Sequence, residues 1–260
     1  MRKIIPLILI LCISLCACKS DGSENAKANP ATDFEYSLSE QVAIKGYNGV
    51  SKNVVIPEEI EGKTVTVIFS CAFMSMNIES VVIPDTVTII WDHAFENCKS
   101  LKVVTFGDNI TEIMENAFSD CTALLDVKLP EKLEKLGTKA FSNCTNLKKA
   151  YLNKNLSQMG TETFYGCPIE ELILEDGIKK FGSYAAFWGA TLKKLTIPAS
   201  VEEIGEYAFH DNLEEVTFSG DAPKKLGNQP FGTKATVYYK KGTDGWEDTT
   251  LREYCELIEQ

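Results

Sequence analysis

A phenylalanine recurs every 22 or 23 residues through most of this 260-residue chain. A longer phrase recurs with it, as in "AFENCKSLKVVTF" at residues 94–106 and "AFSDCTALLDVKL" at residues 117–129. An apolar period of about 20 to 29 residues is typical of a solenoid, in which each coil buries its apolar face against its neighbours. The repeated phenylalanines are Phe73, Phe95, Phe118, Phe141, Phe164, Phe187 and Phe209. The repeat therefore predicts a stack of coils as the main body of the chain.

Each repeat also contains a short segment of β-forming residues, and several of these segments end at a Pro or Gly that interrupts a strand ladder. The segments read IESVVI, LKVVTF, LLDVKL, LKKAYL, IEELIL, LKKLTI and LEEVTF. We therefore predict one parallel β-strand per coil of 22–23 residues, about seven coils, and one sheet made from their strands. At roughly 4.8 Å per strand, the coils would form a body about 30 to 35 Å long.

Two further columns describe the predicted centre of each coil. The residue before each Phe is usually Ala, so that a narrow coil can hold one large ring. Cys98, Cys121, Cys144 and Cys167 form a column three residues after the Phe. We interpret them as free, buried thiols, because structural zinc sites use paired cysteines within one loop and parallel side chains give poor disulfide geometry. No metal site and no cofactor is predicted.

Both ends of the predicted solenoid, which spans residues 54–218, have segments suited to capping it. Alternating apolar residues predict a small β cap at residues 34–53. The C-terminal cap covers residues 219–260, with a strand at 235–240 and then a short helix that begins near Thr243 or Asp244. The expected apolar contacts of this cap are Trp246, Leu251, Tyr254, Leu257 and Ile258.

Residues 1–17 have the organisation of a signal peptide, with Arg2 and Lys3 before an apolar run that is too short for a comfortable membrane span. The run ends in Leu-Cys-Ala-Cys, which looks like the lipobox of bacterial lipoproteins. That resemblance implies a diacylglycerol linked to Cys18, and two or three acyl chains hold a protein durably on a membrane. Residues 18–33 would then be the lipidated cysteine and a flexible tether. The alternative is an ordinary cleaved signal peptide and a soluble product.

Composition and motifs argue against several classes of function. The formal net charge of -11 would repel the backbone of a nucleic acid, and the basic residues are scattered. An enzyme needs an acid, a base or a nucleophile held at one place, and the sequence contains no such constellation and no known catalytic motif. Its two histidines, His93 and His210, lie in columns that vary freely. We therefore predict that the protein is not an enzyme.

Binding is expected at the columns that vary between coils, because the core uses the fixed columns. The residue after each Phe is Tyr165, Trp188 and His210 in three successive coils. With Tyr184 and Tyr207 nearby, this column is the predicted contact surface for a protein partner or a sugar. The alternative is that these rings pack against the C-terminal cap or the loops beneath them.

Two other variable columns receive structural interpretations. Charged pairs alternate between Lys-Lys and Glu-Glu along the strands, at residues 148–149, 170–171, 193–194 and 214–215. We expect these pairs to set strand register and solubility. A second apolar column contains Phe69, Trp91 and Met114, where later coils have glycine. We expect the N-terminal cap to cover it.

The phrase I-P-x-x-V-x-x-I-G-x-x-A-F-x-x-C, repeated over about residues 54–218, resembles the BspA-type, or treponemal-type, leucine-rich repeat. The resemblance implies a leucine-rich-repeat solenoid that serves as a binding or adhesion module. It also implies an exported bacterial lipoprotein that faces the cell exterior and binds an extracellular protein or cell-surface partner. Two alternatives stay open, a glycan-binding accessory protein of an uptake or degradation system and a structural envelope component, since fold alone does not decide function.

Overall fold

A computed structural model describes residues 27–183, 187–209, 213–247 and 249–260. Within these residues the chain forms a parallel β-solenoid of about nine coils with little helix. The second to eighth coils have a strand of three or four residues on one side and a strand of two residues on the other. We call these sides the long-strand face and the short-strand face.

The long-strand face contains all seven predicted strands and extends beyond them at both ends. Its strands are β3 (Asn53–Val55), β6 (Ser80–Val82), β8 (Val103–Thr105), β10 (Asp126–Lys128), β12 (Lys149–Leu152), β14 (Glu171–Leu174), β16 (Lys194–Ile197), β18 (Glu215–Phe218) and β20 (Thr236–Tyr239). The predicted count of seven coils is corrected to about nine. The predicted count used the Ala-Phe phrase and therefore missed two coils. The eighth coil has Pro230 in place of the Ala, and the ninth coil lacks the phrase.

The long-strand face is three parallel sheets, not the single sheet that was predicted. They are β3-β6-β8, β10-β12-β14 and β16-β18-β20, the last extended by β21 (Glu256–Glu259). Coils on either side of an interruption stay joined next to the strands. For example, the Thr191 amide donates to the Ile169 carbonyl at 2.9 Å between the coils of β14 and β16.

The short-strand face supplies a second strand in each coil from the first to the eighth. These strands are β5 (Lys63–Ile68), β7 (Ile89–Ile90), β9 (Glu112–Ile113), β11 (Lys135–Leu136), β13 (Gln158–Met159), β15 (Lys180–Phe181), β17 (Glu203–Ile204) and β19 (Lys225–Leu226). They pair in parallel as two sheets, one ending at β13 and the other running from β15 to β19. The prediction of one strand per coil omitted them, because two residues give no detectable alternation.

The chain before the first coil forms a β-hairpin. A single 3₁₀ turn at Ala31–Asp33 leads into β1 (Phe34–Leu38), which pairs antiparallel with β2 (Val42–Tyr47). β2 then pairs in parallel with β5, and β4 (Glu59–Ile60) pairs antiparallel with the start of β5. The hairpin therefore lengthens the short-strand sheet along the solenoid axis.

The C-terminal end differs from the prediction of a helix that starts near Thr243 or Asp244. A single 3₁₀ turn at Thr250–Glu253 is followed by β21, whose residues Leu257 and Ile258 pair with β20. A strand is formed here because it pairs the edge of β20, which a helix would leave open. The predicted packing of Trp246 is confirmed: its ring is buried and lies 4.8 Å from that of Tyr239.

The seven repeated phenylalanines form one column of buried rings. Successive centroids are 4.8, 4.9, 5.1, 5.5, 5.3 and 5.0 Å apart, and the ring planes lie within 10° of parallel. Phe231 extends the column beyond Phe209 at 5.7 Å, and Tyr47 of the hairpin closes the other end, 5.8 Å from Phe73. Aromatic contacts of this kind contribute about 0.5 to 1.5 kcal/mol each beyond the burial of their area.

The four cysteines of the column are buried and free, as predicted. Each thiol also donates to a carbonyl of the preceding coil: Cys98 Sγ lies 3.0 Å from the Phe73 oxygen, and Cys121 Sγ lies 3.2 Å from the Phe95 oxygen. Burial raises the pKa of Cys98 to about 12, so its thiolate is suppressed at neutral pH. Each cysteine is small enough for this buried position, and its thiol supplies a hydrogen-bond donor to a buried carbonyl.

Candidate binding surfaces

A tight corner follows the short strands, and the residue after the repeated Phe stands at this corner. In one coil, Phe164 points into the ring column, and left-handed residues two positions away on either side, Glu162 (φ 54°) and Gly166 (φ 74°), make the corner. The Gly166 amide donates to the Trp188 carbonyl of the next coil at 2.6 Å. The residue after each Phe is therefore held at a regular spacing along the solenoid.

Tyr165 and Trp188 occupy this position in neighbouring coils. Their side chains are 39% and 42% exposed, the ring centroids lie 6.3 Å apart, and the planes meet at 22°. The adjacent buried pair, Phe164 and Phe187, is tighter, at 5.3 Å and 10°. The outer rings follow the spacing of the core but leave much of their surface open.

The corner position differs in the earlier coils. Met74 is 43% exposed, whereas Ser119 and Ser142 are buried. Glu96 occupies the same position, and its carboxylate contacts the ring of His93, with 2.7 Å between Oε2 and Nδ1. The aromatic pair is therefore a local feature of two coils among those described.

The remaining candidate residues are more dispersed. Tyr207 lies two residues before its Phe, is half-buried, and its hydroxyl accepts a hydrogen bond from Asn228 Nδ2 at 3.0 Å. It belongs to a neighbouring column, not to that of Tyr165 and Trp188. Tyr184, His210 and Cys18 lie outside the described residues.

The column of His93 has a fixed backbone and variable side chains. His93, Lys139, Glu162 and Tyr207 all have left-handed backbones, with φ of 60°, 57°, 54° and 50°. Sequence reasoning missed this requirement, because no single residue type marks the column.

The described parts of the chain contain no group of three or more His, Cys, Asp or Glu side chains placed to hold a metal ion. Among the helical segments that can be described, none is long and apolar enough to cross a membrane.

The long-strand face displays the predicted ladder of charges. Lys148 pairs with Glu170 and Lys149 with Glu171, each at 2.7 Å. The two pairs formed by Lys193 with Glu214 and by Lys194 with Glu215 follow at 2.8 Å. Exposed pairs of this kind contribute about 0 to 1 kcal/mol each, so they favour register more than stability. Because these charges are satisfied within the chain, they are poor anchors for a partner.

An open depression of about 660 Å³ lies on the same face, where the sheet is interrupted between β14 and β16. Ile173, Thr196 and Thr217 contribute to its lining, with the paired Lys194 and Glu215 beside them. Its lining mixes methyl groups, hydroxyls and already paired charges. It lies on a different side of the coil from the corner that displays Tyr165 and Trp188.

The short-strand face has an apolar surface near the N-terminal cap, which we call the Trp91 patch: Val67, Phe69, Ile89, Trp91 and Met114. Phe69 and Trp91 are 40% and 37% exposed, with ring centroids 5.6 Å apart. The expectation that the N-terminal cap covers this column is wrong. The hairpin adds β2 to the edge of β5 and so extends the face without folding over it.

The C-terminal half of the short-strand face has a second charge ladder that sequence reasoning missed. Glu202 accepts from Lys179 at 3.2 Å and from Lys224 at 2.8 Å, and Glu203 lies 2.7 Å from Lys180. These hydrogen bonds lower the pKa of both carboxyl groups. The alternation of Lys-Lys, Glu-Glu and Lys-Lys at residues 179–180, 202–203 and 224–225 was the available signal.

Comparison with known proteins gives the same architecture. The sequence model of the family described as BspA type leucine-rich repeat region matches this chain in six copies, over residues 66–187 and 184–236. A leucine-rich repeat protein of T. pallidum is similar at 26% identity with a TM-score of 0.61, over 77% of this chain and 86% of that one. A leucine-rich cell surface protein of Faecalibacterium prausnitzii matches at 22% identity and a TM-score of 0.58, over 83% and 76%. A comparison with curated proteins gives no match.

The fold and its displayed variable columns define a repeat solenoid of the binding or scaffold class. The chain belongs to the BspA-type leucine-rich repeat family, which confirms the family predicted from the repeated phrase. Solenoids of this family are generally non-catalytic binding scaffolds.

Proposed function

We propose that this protein is a non-catalytic, lipid-anchored bacterial cell-surface protein that binds an extracellular protein through the rings of Tyr165 and Trp188. The proposal rests on one observation: two neighbouring coils display large aromatic rings that are 39% and 42% exposed. Rigid aromatic side chains supply much of the binding energy at the centres of protein interfaces. The paired charges of the long-strand face support the same choice, because they leave apolar surface as the stronger source of affinity.

The lipid anchor is proposed from the sequence of the signal segment and Cys18. The similar F. prausnitzii protein is described as a cell surface protein, which agrees with this location. In cells grown with radiolabelled palmitate, we expect the wild-type chain to be labelled and to sediment with membranes. Cys18→Ala should lose both properties. Retention of label and membrane association by this variant would contradict the anchor.

The binding proposal is tested with the chain from residue 19 and two sets of probes, immobilised fibronectin, fibrinogen, laminin and collagen, and a glycan array. For any matrix protein that binds, Trp188→Ala should weaken binding tenfold or more, since truncating a central aromatic costs about 2 kcal/mol or more. Met74→Ala is the matched control, because Met74 has the same corner position and is 43% exposed. Equal effects of the two substitutions, or none, would show that the aromatic pair is not the contact surface.

A glycan ligand is the second candidate, favoured by the small angle of 22° between the exposed rings. Two nearly parallel rings on adjacent coils suit stacking on successive sugar units. Binding confined to the glycan array and lost in Trp188→Ala would replace the protein ligand by a sugar. An envelope defect on gene deletion, with no binding to either set, would favour a structural envelope component.

A further inference from the structure

We propose that the Trp91 patch is a membrane-contact surface, which seats the N-terminal coils on the zwitterionic lipid surface to which the chain is anchored. This proposal rests on the proposed lipid anchor for its location. Its chemistry rests on the described side chains of the patch. It assigns the two pairs of exposed rings found among the described residues, Phe69 with Trp91 and Tyr165 with Trp188, to two different tasks.

The composition of the patch suits the boundary between lipid headgroups and acyl chains. Trp91 and Phe69 present neighbouring exposed rings, and the half-buried Met114 occupies the equivalent position on the next coil. The strand residues beside them, Val67 and Ile89, are half-buried and pair in register. Aromatic residues, Trp above all, are enriched at membrane interfaces, and an apolar face a few residues wide can be buried there to a depth of about 5 to 10 Å.

The edge of the patch carries a cation in a suitable position. Lys45 Nζ of the hairpin lies 5.9 Å from the centroid of the Phe69 ring. A lysine stem can lie along an apolar surface while its ammonium group reaches lipid phosphates. The hairpin leaves the rings open, because β2 joins the edge of β5 and does not fold over its face.

The tether reaches far enough to place this surface on the membrane. Eight residues lie between Cys18 and Lys27, where the described structure begins, so the chain makes nine residue steps from one to the other. Fully extended, they span about 30 Å. Phe69, Trp91 and Met114 belong to successive coils at the N-terminal end, and two coil steps cover roughly 10 Å along the axis. The described chain begins beside the first coil, where the Asn29 amide donates to the Val55 carbonyl, so its start and the patch lie at the same end of the solenoid.

The second aromatic surface would stay free in this orientation. Tyr165 and Trp188 lie three and four coils beyond Trp91, roughly 15 to 20 Å along the axis, and at the corner column instead of the short-strand face. Contact of the Trp91 patch with lipid therefore leaves the proposed partner-binding rings exposed. The two surfaces can act at the same time.

Charges near the patch select the kind of lipid. Asp92 follows Trp91 and Glu115 follows Met114, and the backbone amide of Glu115 donates to Asp92 Oδ1 at 3.1 Å, which places the Asp92 carboxylate beside the Met114–Glu115 backbone. These groups, together with the formal net charge of -11, oppose an anionic surface. We therefore assign the patch to zwitterionic headgroups and the upper part of their acyl chains.

The test uses the three tryptophans of the chain, of which Trp246 is buried and Trp188 lies at the distant corner. The chain from residue 19, with an N-terminal hexahistidine tag, is held on phosphatidylcholine vesicles by a nickel-chelating lipid, with and without bromine on the upper acyl carbons. The variant Trp188→Phe keeps Trp91 and the buried Trp246. In this variant, brominated lipid should reduce the part of the emission that comes from Trp91 at least twofold. In Trp91→Phe, the emission of Trp188 and Trp246 should change by less than one tenth.

The outcomes separate this proposal from its rivals. Equal quenching in the two variants, or none in Trp188→Phe, would overturn it. Concentration-dependent dimerisation in sedimentation equilibrium that Trp91→Phe abolishes would assign the patch to a second copy of the chain instead. Adding anionic phosphatidylglycerol should reduce the quenching, and an increase would contradict the choice of a zwitterionic surface. Unchanged thermal unfolding of the variants excludes misfolding as the cause.

This design keeps the result independent of the lipid anchor. The tag replaces Cys18 as the attachment point, so a failure of palmitate labelling would remove the natural anchor without changing the fluorescence measurement. Conversely, a labelled chain whose Trp91 is not quenched would keep the anchor and lose the contact surface.

Discussion

The two ends of the short-strand face share one backbone plan and display opposite chemistry. Near the hairpin, register-paired Val67 and Ile89 lie beside the exposed rings of Phe69 and Trp91. Toward the C-terminus, Glu202 and Glu203 lie at the same level of later coils and are bonded to lysines of both neighbouring coils. The interior column of rings runs unchanged beneath both ends. The coil therefore fixes its interior and leaves its outer columns free to take different roles.

The glycine column shows why one end can hold large side chains and the other cannot. Met114 and Gly137 follow equivalent strand residues, and their amides donate to the carbonyls of Ile90 and Ile113 at 2.9 and 2.8 Å. A Cβ on Gly137 would lie 2.5 Å from the Met114 carbonyl carbon, and one on Gly205 would lie 2.5 Å from the Ser183 nitrogen. A side chain at Gly137 or Gly205 would therefore meet the backbone of the preceding coil.

The largest expected effect tests whether the interior is truly the same at both ends. Phe95→Ala and Phe209→Ala should each lower the free energy of unfolding by about 3 to 5 kcal/mol, because a stacked coil cannot collapse into the cavity. Urea denaturation of both variants measures this. A loss near zero at one end and several kcal/mol at the other would show that the two ends differ inside as well as outside.

An intermediate effect is expected where the column changes from large side chains to glycine. Gly137→Ala should destabilise by about 1 to 3 kcal/mol, because its Cβ meets backbone that cannot move away without separating two coils. Met114→Ala is the matched control one coil earlier and should cost less. Thermal and urea unfolding compare the two, and a neutral Gly137→Ala would refute the close approach.

The smallest effect concerns pH and should come from the charged end. The lysine hydrogen bonds lower the pKa of Glu202, Glu203 and Glu214 from the usual 4.5. A carboxyl group with a lowered folded-state pKa stabilises the protein above its ordinary pKa, and that contribution is lost as pH falls through the folded value. The urea midpoint should therefore fall between about pH 5 and pH 3, and less so in the double variant Glu202→Gln, Glu203→Gln.

The apolar end provides the control for this measurement. Trp91→Ser should retain the pH dependence of the wild-type chain, since Glu202 and Glu203 lie on a distant coil. A pH dependence that is equal in the wild type and the double glutamine variant would show that the ladder does not stabilise the fold.

The sequence was a good guide wherever one residue type repeats for one physical reason. Phe118 recurs because only a large ring fills the coil centre, and Cys121 because a small donor fits beside a buried carbonyl. The short strands and the left-handed corners were not visible, because backbone conformation selects His93, Lys139 and Glu162 alike. The C-terminal strand was misread as a helix because Leu257 and Ile258 are apolar neighbours that suit either structure until β20 offers them a partner.

The same limit applies to the candidate surfaces. The pattern identified Tyr165 and Trp188 as one column, and the structure places their rings side by side. Tyr207 was predicted only as a neighbour of this column, and its left-handed backbone agrees with its place in the column of His93. The exposure of Trp91 depended on where the hairpin attaches, a tertiary choice that periodicity does not encode.

The two interruptions of the long-strand sheet have a mechanical meaning. Backbone bonds between coils run along the solenoid axis, so tension between the N-terminus and a distal coil loads them one interface after another. The interfaces between β8 and β10 and between β14 and β16, where the ladder is interrupted, are the first expected to separate. Each freed coil of 22–23 residues would release about 75 to 80 Å of chain. A chain fixed at one end and pulled at the other would thus lengthen in steps before its attachment is broken.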